Sequence, residues 1–504
     1  MGRRLNGCRG TARRGRGRAA PAAVVAAALC TVAVLPGQAG AAGVPGSYAF
    51  AEGAETVEGA TSNVEGHRLA PGRTYRSSLP RVGQRFYRLE LTAEDSAYVS
   101  VTAIPRAGAE VSYADGVEVS VQDSDGNNCS PMEAEEARFG SSESPRPITA
   151  TAARRVGPNE KSCTGAGTYY VLVERTRSSG TARSAVAQED WDLELHVASE
   201  PALRGAGETT PPQAWDSAAP VPPSGERRPR EGGTSFNDAR GLEKGVWGAG
   251  IEPGETLFYR VPVDWGQQLS VAAELGSSSG GLGSGGSSSS SGARDRGYVS
   301  SAVVMSVHNP VRAEVEDADT AYDGRQKSAA LDPLPPVAYE NRFALTDEVS
   351  AMRFAGWYYV SVHLSPAVAE KFGDGPLELT LRVDVDGSPR PGPAYAGSPR
   401  PADDFGVSER DAEAAQRGDT AEAASGADGQ DGGGRDDELM AVVAAGGIGT
   451  GVVLLGILGV WTLVARRRAR AGLAAAVSAG SAMSPEGGAE VTAEAAGFGP
   501  PRGW

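Results

Sequence analysis

Histidine, cysteine and aromatic residues are scarce in this chain of 504 residues. There are four His and four Cys, and Phe, Trp and Tyr together make up 6%. No H-E-x-x-H, Walker or S-x-x-K sequence is present, so common residue sets for zinc, nucleotide and acyl-enzyme chemistry are missing. Gly and Pro are abundant instead, at 68 and 33 residues, and they concentrate in linker-like blocks. The composition argues against one large enzyme, and we expect no catalytic activity and no cofactor.

Basic and acidic residues are segregated along the chain. Residues 1–41 carry seven Arg and no acid, and residues 465–504 carry five Arg and three Glu. Removing these from the 48 basic and 63 acidic residues of the chain leaves a charge of −24 between them. Such a segment disfavours nucleic acid and anionic lipid headgroups as partners. Its charge is also typical of a solubilising surface.

The N-terminus has the order of features of an export signal. Seven arginines precede an apolar run over residues 19–35, and the small residues Ala39, Gly40 and Ala41 follow. A basic, an apolar and a small-residue region in this order are typical of a cleaved signal peptide, and the apolar run is short for a membrane span. We predict a signal peptide over residues 1–41.

A long uncharged segment lies near the C-terminus, over residues 439–465. As a helix it would extend about 40 Å, enough to cross a hydrocarbon core of about 30 Å. Acidic residues precede it and a cluster of arginines follows it. This asymmetry predicts a single-pass plasma-membrane protein with its N-terminus outside and residues 466–504 as a cytoplasmic tail. Membrane lipid is then one partner, contacted by this helix.

Gly447 and Gly451 form a G-x-x-x-G pair within the predicted span. Small residues at this spacing let two membrane helices approach closely, so packing into a homodimer is one interpretation. Glycine is also frequent in membrane helices without such a contact. The sequence leaves the oligomeric state open.

Two segments between these ends, 68–199 and 234–387, contain short apolar strands in the same order. The strands alternate with a period of two and are separated by Gly, Pro, Asn and Asp, which is typical of antiparallel sheets. We therefore predict an all-β fold of two antiparallel β-sandwich or jelly-roll modules that arose by duplication. The corresponding strands are 86–91 and 258–263, 98–103 and 269–273, 117–121 and 303–307, 167–173 and 356–362, and 193–197 and 377–383.

These motifs resemble the bacterial pre-peptidase C-terminal domain family, small jelly-roll modules appended to secreted enzymes and surface proteins. The resemblance rests on the Phe-Tyr opening strand, the alternating middle strand and the late Tyr-Tyr-Val strand of each module. It covers residues 68–199 and 234–387, and both modules are longer than is usual in that family. No peptidase domain accompanies them, so we do not expect them to serve an enzyme in the same chain.

Segments rich in Pro, Gly, Ser or acidic residues flank the modules. We predict an N-terminal extension over residues 42–67, a semi-stiff Pro-rich linker over 200–233 and a Gly/Ser loop over 276–292. Residues 388–438 are first Pro-rich and then acidic and Ala-rich. We predict that they form a disordered stalk with an average reach of roughly 40 Å.

Two cysteines, Cys129 and Cys163, remain once the signal is removed. Both lie in the first module, and export places them in an oxidising compartment. We therefore predict a disulfide between them that stabilises the fold by roughly 3–4 kcal/mol.

Asp123, Asp125 and Asn127 have the oxygen-rich spacing of a calcium loop. The distant bidentate Glu of an EF-hand is missing, and Asp, Gly and Asn are also favoured in turns for conformational reasons. A turn is the preferred interpretation and a calcium site the alternative. We predict no other metal site.

Aromatic and histidine side chains in the modules offer few further site candidates. His196 and His363 alternate with apolar neighbours, so we expect them to point away from the sandwich cores. Four tryptophans are candidates for a ligand platform, although core packing explains them as well. These are Trp191, Trp247, Trp265 and Trp357.

Together these features predict a membrane-anchored extracytoplasmic protein that binds or scaffolds without catalysis. Cell-wall polymer or another envelope protein is the expected partner of the tandem modules. One alternative is an accessory subunit of a membrane secretion or signalling complex, and another is an unrecognised hydrolase. Binding to purified peptidoglycan, co-purification with fixed partners, and turnover that depends on one acid or histidine would separate the three.

Overall fold

The computed structural model describes residues 47–106, 108–129, 135–158, 160–176, 189–205, 207–212, 214–278 and 297–420. Among these residues no helix is long and apolar enough to cross a membrane. The predicted signal peptide, the span with Gly447 and Gly451, and the tail lie outside the described residues, as does most of the Gly/Ser loop.

The first module is a sandwich of two five-stranded sheets. One sheet has the order β1-β3-β10-β5-β8 and the other β2-β4-β9-β6-β7. Neighbouring strands are antiparallel, except that the short first strands β1 and β2 run parallel to β3 and β4. The strands are β1 Glu55–Thr56, β2 His67–Leu69, β3 Arg73–Leu79, β4 Gln84–Leu91, β5 Ser96–Ile104, β6 Gly116–Gln122, β7 Glu136–Arg138, β8 Ile148–Arg154, β9 Gly167–Thr176 and β10 Trp191–Glu200.

The second module repeats this topology strand for strand. Its sheets have the orders β11-β13-β20-β15-β18 and β12-β14-β19-β16-β17, so each strand takes the place of the strand ten earlier. The predicted all-β fold of tandem sandwiches is confirmed. The strands are β11 Arg228–Pro229, β12 Arg240–Gly241, β13 Gly245–Ile251, β14 Thr256–Val263, β15 Gln268–Leu275, β16 Val299–His308, β17 Glu314–Tyr322, β18 Lys327–Ala330, β19 Gly356–Leu364 and β20 Leu377–Asp386.

Each sandwich has its own apolar core, built from alternate residues of facing strands. In β5, Val99 and Val101 point into the first core, while Ser100 and Thr102 point to the outer face of the sheet. These outer residues are also buried, because the outer face of this sheet packs against the second sandwich. The two sandwiches therefore belong to one compact unit.

In the described residues the α-helices are short and lie in the second module and in the chain after it. The α-helices are α1 Asp347–Ala351, α2 Ala367–Phe372 and α3 Glu409–Arg417, and Ser408 and Asp411 form a capping box at the start of α3. Single 3-10 turns are Asn63–Glu65, Gly140–Ser142, Tyr339–Phe343 and Ala402–Phe405.

The segments outside the two modules contribute more structure than their composition indicates. Strand β1 comes from the predicted N-terminal extension, and β11 comes from the predicted linker. The prediction of a disordered stalk over residues 388–438 is wrong for residues 388–420, which pair with the first module and then form α3. Three apolar side chains of this segment, Phe405, Ala414 and Ala415, occupy buried positions against the folded sandwiches.

Candidate functional site

A buried ion pair joins the two sandwiches. Arg312, in the turn after β16, contacts the Glu194 carboxylate on β10 at 2.6 Å (Nη1 to Oε1). The Tyr48 hydroxyl and the Asn237 amide donate to the same carboxylate at 2.9 Å each. Arg312 donates through Nη2 to the Asn237 Oδ1 at 3.0 Å. These internal partners offset much of the desolvation cost of burying two charges.

A second ion pair lies at the end of β10. Arg342 contacts both carboxylate oxygens of Glu200, Nη2 to Oε1 at 2.7 Å and Nη1 to Oε2 at 3.1 Å. The hydroxyls of Tyr98 and Tyr395 donate to the same carboxylate at 2.9 and 2.8 Å. Burial alone would raise the pKa of Glu200, but Arg342 and the two tyrosines lower it below its usual value.

An open cleft of about 610 Å³ lies beside the second ion pair. This volume is within the range of about 300–1,000 Å³ that is typical of ligand sites. Four segments contribute to its lining: described residues between 203 and 215 after the first module, residues 265–266 and 335–341 of the second, and residues 390–394 after β20. We call it the aromatic cleft, because Trp215, Trp265 and Tyr339 are among its lining residues.

The three aromatic rings of the cleft are held differently. Trp265 is buried, whereas Trp215 and Tyr339 are half-buried and keep part of their surface open. The guanidinium of Arg342 stacks on the Tyr339 ring at 3.4 Å from its centroid. Since Arg342 is itself paired with Glu200, one wall of the cleft is attached to the first sandwich.

Backbone hydrogen bonds fix the floor of the cleft. Gly266 donates to the Val337 carbonyl and Val337 donates to the Gln267 carbonyl, both at 2.8 Å. Arg390 donates through its backbone N–H to the Trp265 carbonyl at 2.8 Å. Gly266 has a φ of +79°, and a Cβ there would lie 2.7 Å from the Arg390 Cδ. A glycine is required for this close approach.

The predicted disulfide is confirmed. Cys129 and Cys163 are bonded, with their Cα atoms 5.6 Å apart. Cys129 follows β6, Cys163 precedes β9, and both pack against the first core. The bond therefore ties the loops at one end of this sandwich.

Asp123, Asp125 and Asn127 form a tight turn after β6. Asp123 Oδ1 accepts from the backbone N–H groups of Asp125 and Asn127 at 2.9 Å, and Oδ2 accepts from the Asn127 side chain at 3.0 Å. These bonds lower the pKa of Asp123 below its usual value, led by those from Asn127. The turn is explained without a cation, and binding of calcium stays a prediction. No cluster of three or more His, Cys, Asp or Glu suited to a metal is found in the described part of the chain.

The four predicted tryptophans do not form one platform. Trp191, Trp247 and Trp357 are buried, each beneath an arginine guanidinium at 3.5–3.9 Å from the ring centroid. Only Trp265 of the four reaches the aromatic cleft. Trp215, which also lines the cleft, was not among the predicted residues. The sequence feature that could have indicated it is a single tryptophan in a Pro-rich linker.

His196 and His363 point away from their own cores, as expected, but neither reaches solvent. They are 7% and 1% exposed, and Ser144 of the first module contacts His363. An outward-pointing side chain on these two strands is therefore not necessarily at the surface.

A serine–histidine contact crosses the junction between the modules. Ser144 Oγ lies 2.6 Å from His363 Nε2, and His363 Nδ1 lies 2.9 Å from Thr256 Oγ1. Burial, with a contribution from the nearby Arg146, lowers the pKa of His363 to about 3. Such an imidazole is a weak base, the third group is a hydroxyl rather than a carboxylate, and Ser144 is 1% exposed. The contact fits a structural role better than activation of a nucleophile.

Comparisons with known proteins give little further guidance. No protein-family model and no curated protein match the chain, so the resemblance to the pre-peptidase family is not confirmed. Similar solved structures include tripeptidyl peptidase 2 (9% identity, 63% of this chain, 24% of that chain, TM-score 0.16). Two others are tandem modules. The CBM22-1-CBM22-2 pair of Paenibacillus barcinonensis Xyn10C has 9% identity over 63% of this chain and 93% of that chain, with a TM-score of 0.16. The CBM51 pair of a Streptococcus pneumoniae family 98 glycoside hydrolase has 8% identity over 62% of this chain and 85% of that chain, with a TM-score of 0.14.

The chain spans about a quarter of the length of tripeptidyl peptidase 2. TM-scores of 0.14–0.16 are too low for any of these likenesses to carry an argument about function.

Proposed function

We propose that this chain is a membrane-anchored extracytoplasmic binding protein that holds a neutral cell-wall glycan in the aromatic cleft, without catalysis. The observation that carries the proposal is the cleft itself, with Trp215 and Tyr339 half-exposed on its walls. Flat aromatic faces suit the apolar faces of sugar rings, and a few polar groups fix orientation.

The charge of the cleft favours a neutral ligand. Its charged lining residues in the described part of the chain are Glu340 and Arg390, which have opposite signs. The surrounding ectodomain is strongly acidic and disfavours anionic polymers. The polysaccharide strand of the wall is therefore a better candidate than a phosphate-bearing polymer.

A binding role is also consistent with the residue types in the cleft. The described lining contains Trp, Tyr, Pro, Gly and aliphatic residues with Glu340, Asn341 and Arg390, but no Ser, His or Cys. The Asn341 amide is already committed, since it donates to the carbonyls of Pro336 and Met352. Glu340 is the one carboxylate in this described lining, whereas hydrolysis of a glycosidic bond canonically uses a pair of carboxyl groups.

Export and anchoring are part of the proposal. The Cys129–Cys163 disulfide supports an oxidising compartment for the first module. The signal peptide, the membrane span over residues 439–465 and the resemblance of the modules to the pre-peptidase C-terminal family rest on the sequence patterns described above.

The test is co-sedimentation of the full-length protein, in mild detergent, with purified peptidoglycan. Trp215→Ala should weaken binding by roughly tenfold or more, because a central aromatic contact is lost. Tyr113→Ala is the matched control, since Tyr113 is 59% exposed and distant in the first module. Equal retention of both variants, or no retention of the parent protein, would refute the proposal. Co-purification with one envelope protein regardless of Trp215 would favour an accessory subunit instead.

A further inference from the structure

The chain leaves both sandwiches at the same place. Residues 199–204, at the end of β10 and just after it, pair with residues 394–400, after β20, in antiparallel fashion. Ser199 and Arg400 exchange backbone hydrogen bonds at 2.7 and 2.9 Å, and Ala396 donates to the Ala202 carbonyl at 2.7 Å. We call residues 388–405 the strap, because they return from the second sandwich across the first.

The strap is also a wall of the aromatic cleft. Residues 390–394 line it, and the backbone N–H of Arg390 is bonded to the carbonyl of Trp265. Gly392 lies so close to the Trp265 indole that a Cβ there would fall 2.5 Å from Nε1. If the strap left its place, this wall of the cleft would leave with it.

The Glu200 carboxylate holds two walls of the cleft at once. Tyr395 of the strap donates its hydroxyl to Oε1 at 2.8 Å. Arg342 binds both oxygens and stacks on Tyr339, which lines the opposite wall. A single buried side chain of the first sandwich therefore positions two segments that follow it by more than 130 residues.

We propose that Glu200 is a positioning residue that couples docking of the strap to the ligand-binding form of the cleft. This inference rests on the proposed function and concerns how ligand binding at the same site is regulated. Because coupling between two equilibria is reciprocal, a ligand in the cleft resists release of the strap, and release of the strap lowers ligand affinity.

Two tyrosines that donate to the same carboxylate provide a matched test. Tyr395→Phe removes the bond from the strap, and Tyr98→Phe removes an equivalent bond from β5, outside the strap and cleft. Amide hydrogen exchange is measured on the full-length protein in detergent, without ligand. We expect Tyr395→Phe to speed exchange at least fivefold at both Ala396 of the strap and Val337 of the cleft floor. Tyr98→Phe should leave both amides near the parent rate.

The coupling is refuted if Ala396 exchanges faster while Val337 does not, or if the two variants behave alike. A Tyr395→Phe protein with unchanged exchange at both amides refutes it as well. Protection of the β5 amides serves as the check that each variant is folded.

A second arm uses purified peptidoglycan as the probe. Tyr395→Phe should reduce retention at least threefold relative to Tyr98→Phe. If Trp215→Ala abolishes retention but the two tyrosine variants are equal, the binding function stands and the coupling fails. If the parent protein is not retained at all, the proposed function fails, and hydrogen exchange still decides whether strap and cleft floor move together.

Discussion

Glu194 and Arg312 form an ion pair between the two sandwiches, with 2.6 Å between Oε1 and Nη1 and side chains 0% and 6% exposed. Each residue comes from a different copy of the duplicated module, so the pair has no counterpart within one module. Leaving one buried charge without its partner costs about 3–5 kcal/mol, whereas an exposed pair contributes about 0–1 kcal/mol.

Arg312→Met should therefore lower the free energy of unfolding by about 3–5 kcal/mol, because the Glu194 carboxylate stays buried and loses its cation. Urea unfolding followed by tryptophan fluorescence measures this. Asp192→Asn is the control on the same strand, since Asp192 pairs with Arg76 at 3.5 Å with both side chains about half exposed. Its expected effect is below about 1 kcal/mol. Equal losses in the two variants would contradict the role given to the buried pair.

The two buried histidines should make the protein less stable in mild acid. Burial lowers the pKa of His308 to about 4 and of His363 to about 3, from the usual value of 6.5. Below pH 6.5 the unfolded chain binds protons at these sites and the folded chain does not, so stability falls as the pH drops toward 4.

Between pH 7 and pH 5 each histidine should account for about 2 kcal/mol of lost stability. His363→Gln should remove its share of this pH dependence in urea titrations at the two pH values. An unchanged slope in His363→Gln would show that His363 is not the titrating group.

Removal of the disulfide should destabilise the first module. The bond spans 34 residues, so replacing both Cys129 and Cys163 by Ala should cost about 3–4 kcal/mol by the chain-entropy estimate. The comparison is thermal or urea unfolding of the oxidised parent and the double variant. Non-reducing peptide mapping of the parent should find the Cys129–Cys163 linkage, and free thiols at both positions would contradict it.

Helix α3 should detach when its contact with β12 is blocked. A Cβ on Gly241 would lie 2.9 Å from the Ala414 carbonyl oxygen and the Ala415 Cα, so Gly241→Val cannot keep the helix in place. Limited trypsin digestion should then cut at Arg417 several times faster than in the parent. Gly165→Ala, with nothing within 4 Å of the new Cβ, should digest at the parent rate.

The proposed orientation predicts which side of the membrane each segment occupies. Protease added to cells whose wall has been opened should cut between residues 421 and 438 and spare residues 466–504, as read by tags at each end. A reporter enzyme that works only in the cytosol should be inactive when fused between the two sandwiches. Activity of that reporter would reverse the orientation.

Strand positions, the duplication and the disulfide were predictable from the sequence, because they follow from local patterns. Alternation with a period of two marks the strands, and Val99 and Val101 need only the facing sheet of their own sandwich to form a core. The two remaining cysteines of an exported chain leave one intramolecular pairing.

The cleft and the strap were not predictable in this way. Trp215, Tyr395 and Phe405 lie in segments whose composition is typical of linkers. Their partners are far away in the chain, with Tyr395 and Glu200 separated by 195 residues. Composition measures the average polarity of a segment. It does not identify the few side chains in that segment that pack into sites formed by distant residues.

By itself the sequence determined two sandwiches, their boundaries in outline and the charge of their surfaces. Only the tertiary structure decided that the polar outer face of β10 is buried against the second sandwich. The alternation along a strand specifies which residues face its own core. Whether the opposite face contacts water or another part of the protein depends on a partner surface, and no local pattern encodes that surface. For Glu194 and Glu200 that surface supplies Arg312 and Arg342, which are 118 and 142 residues distant in the chain.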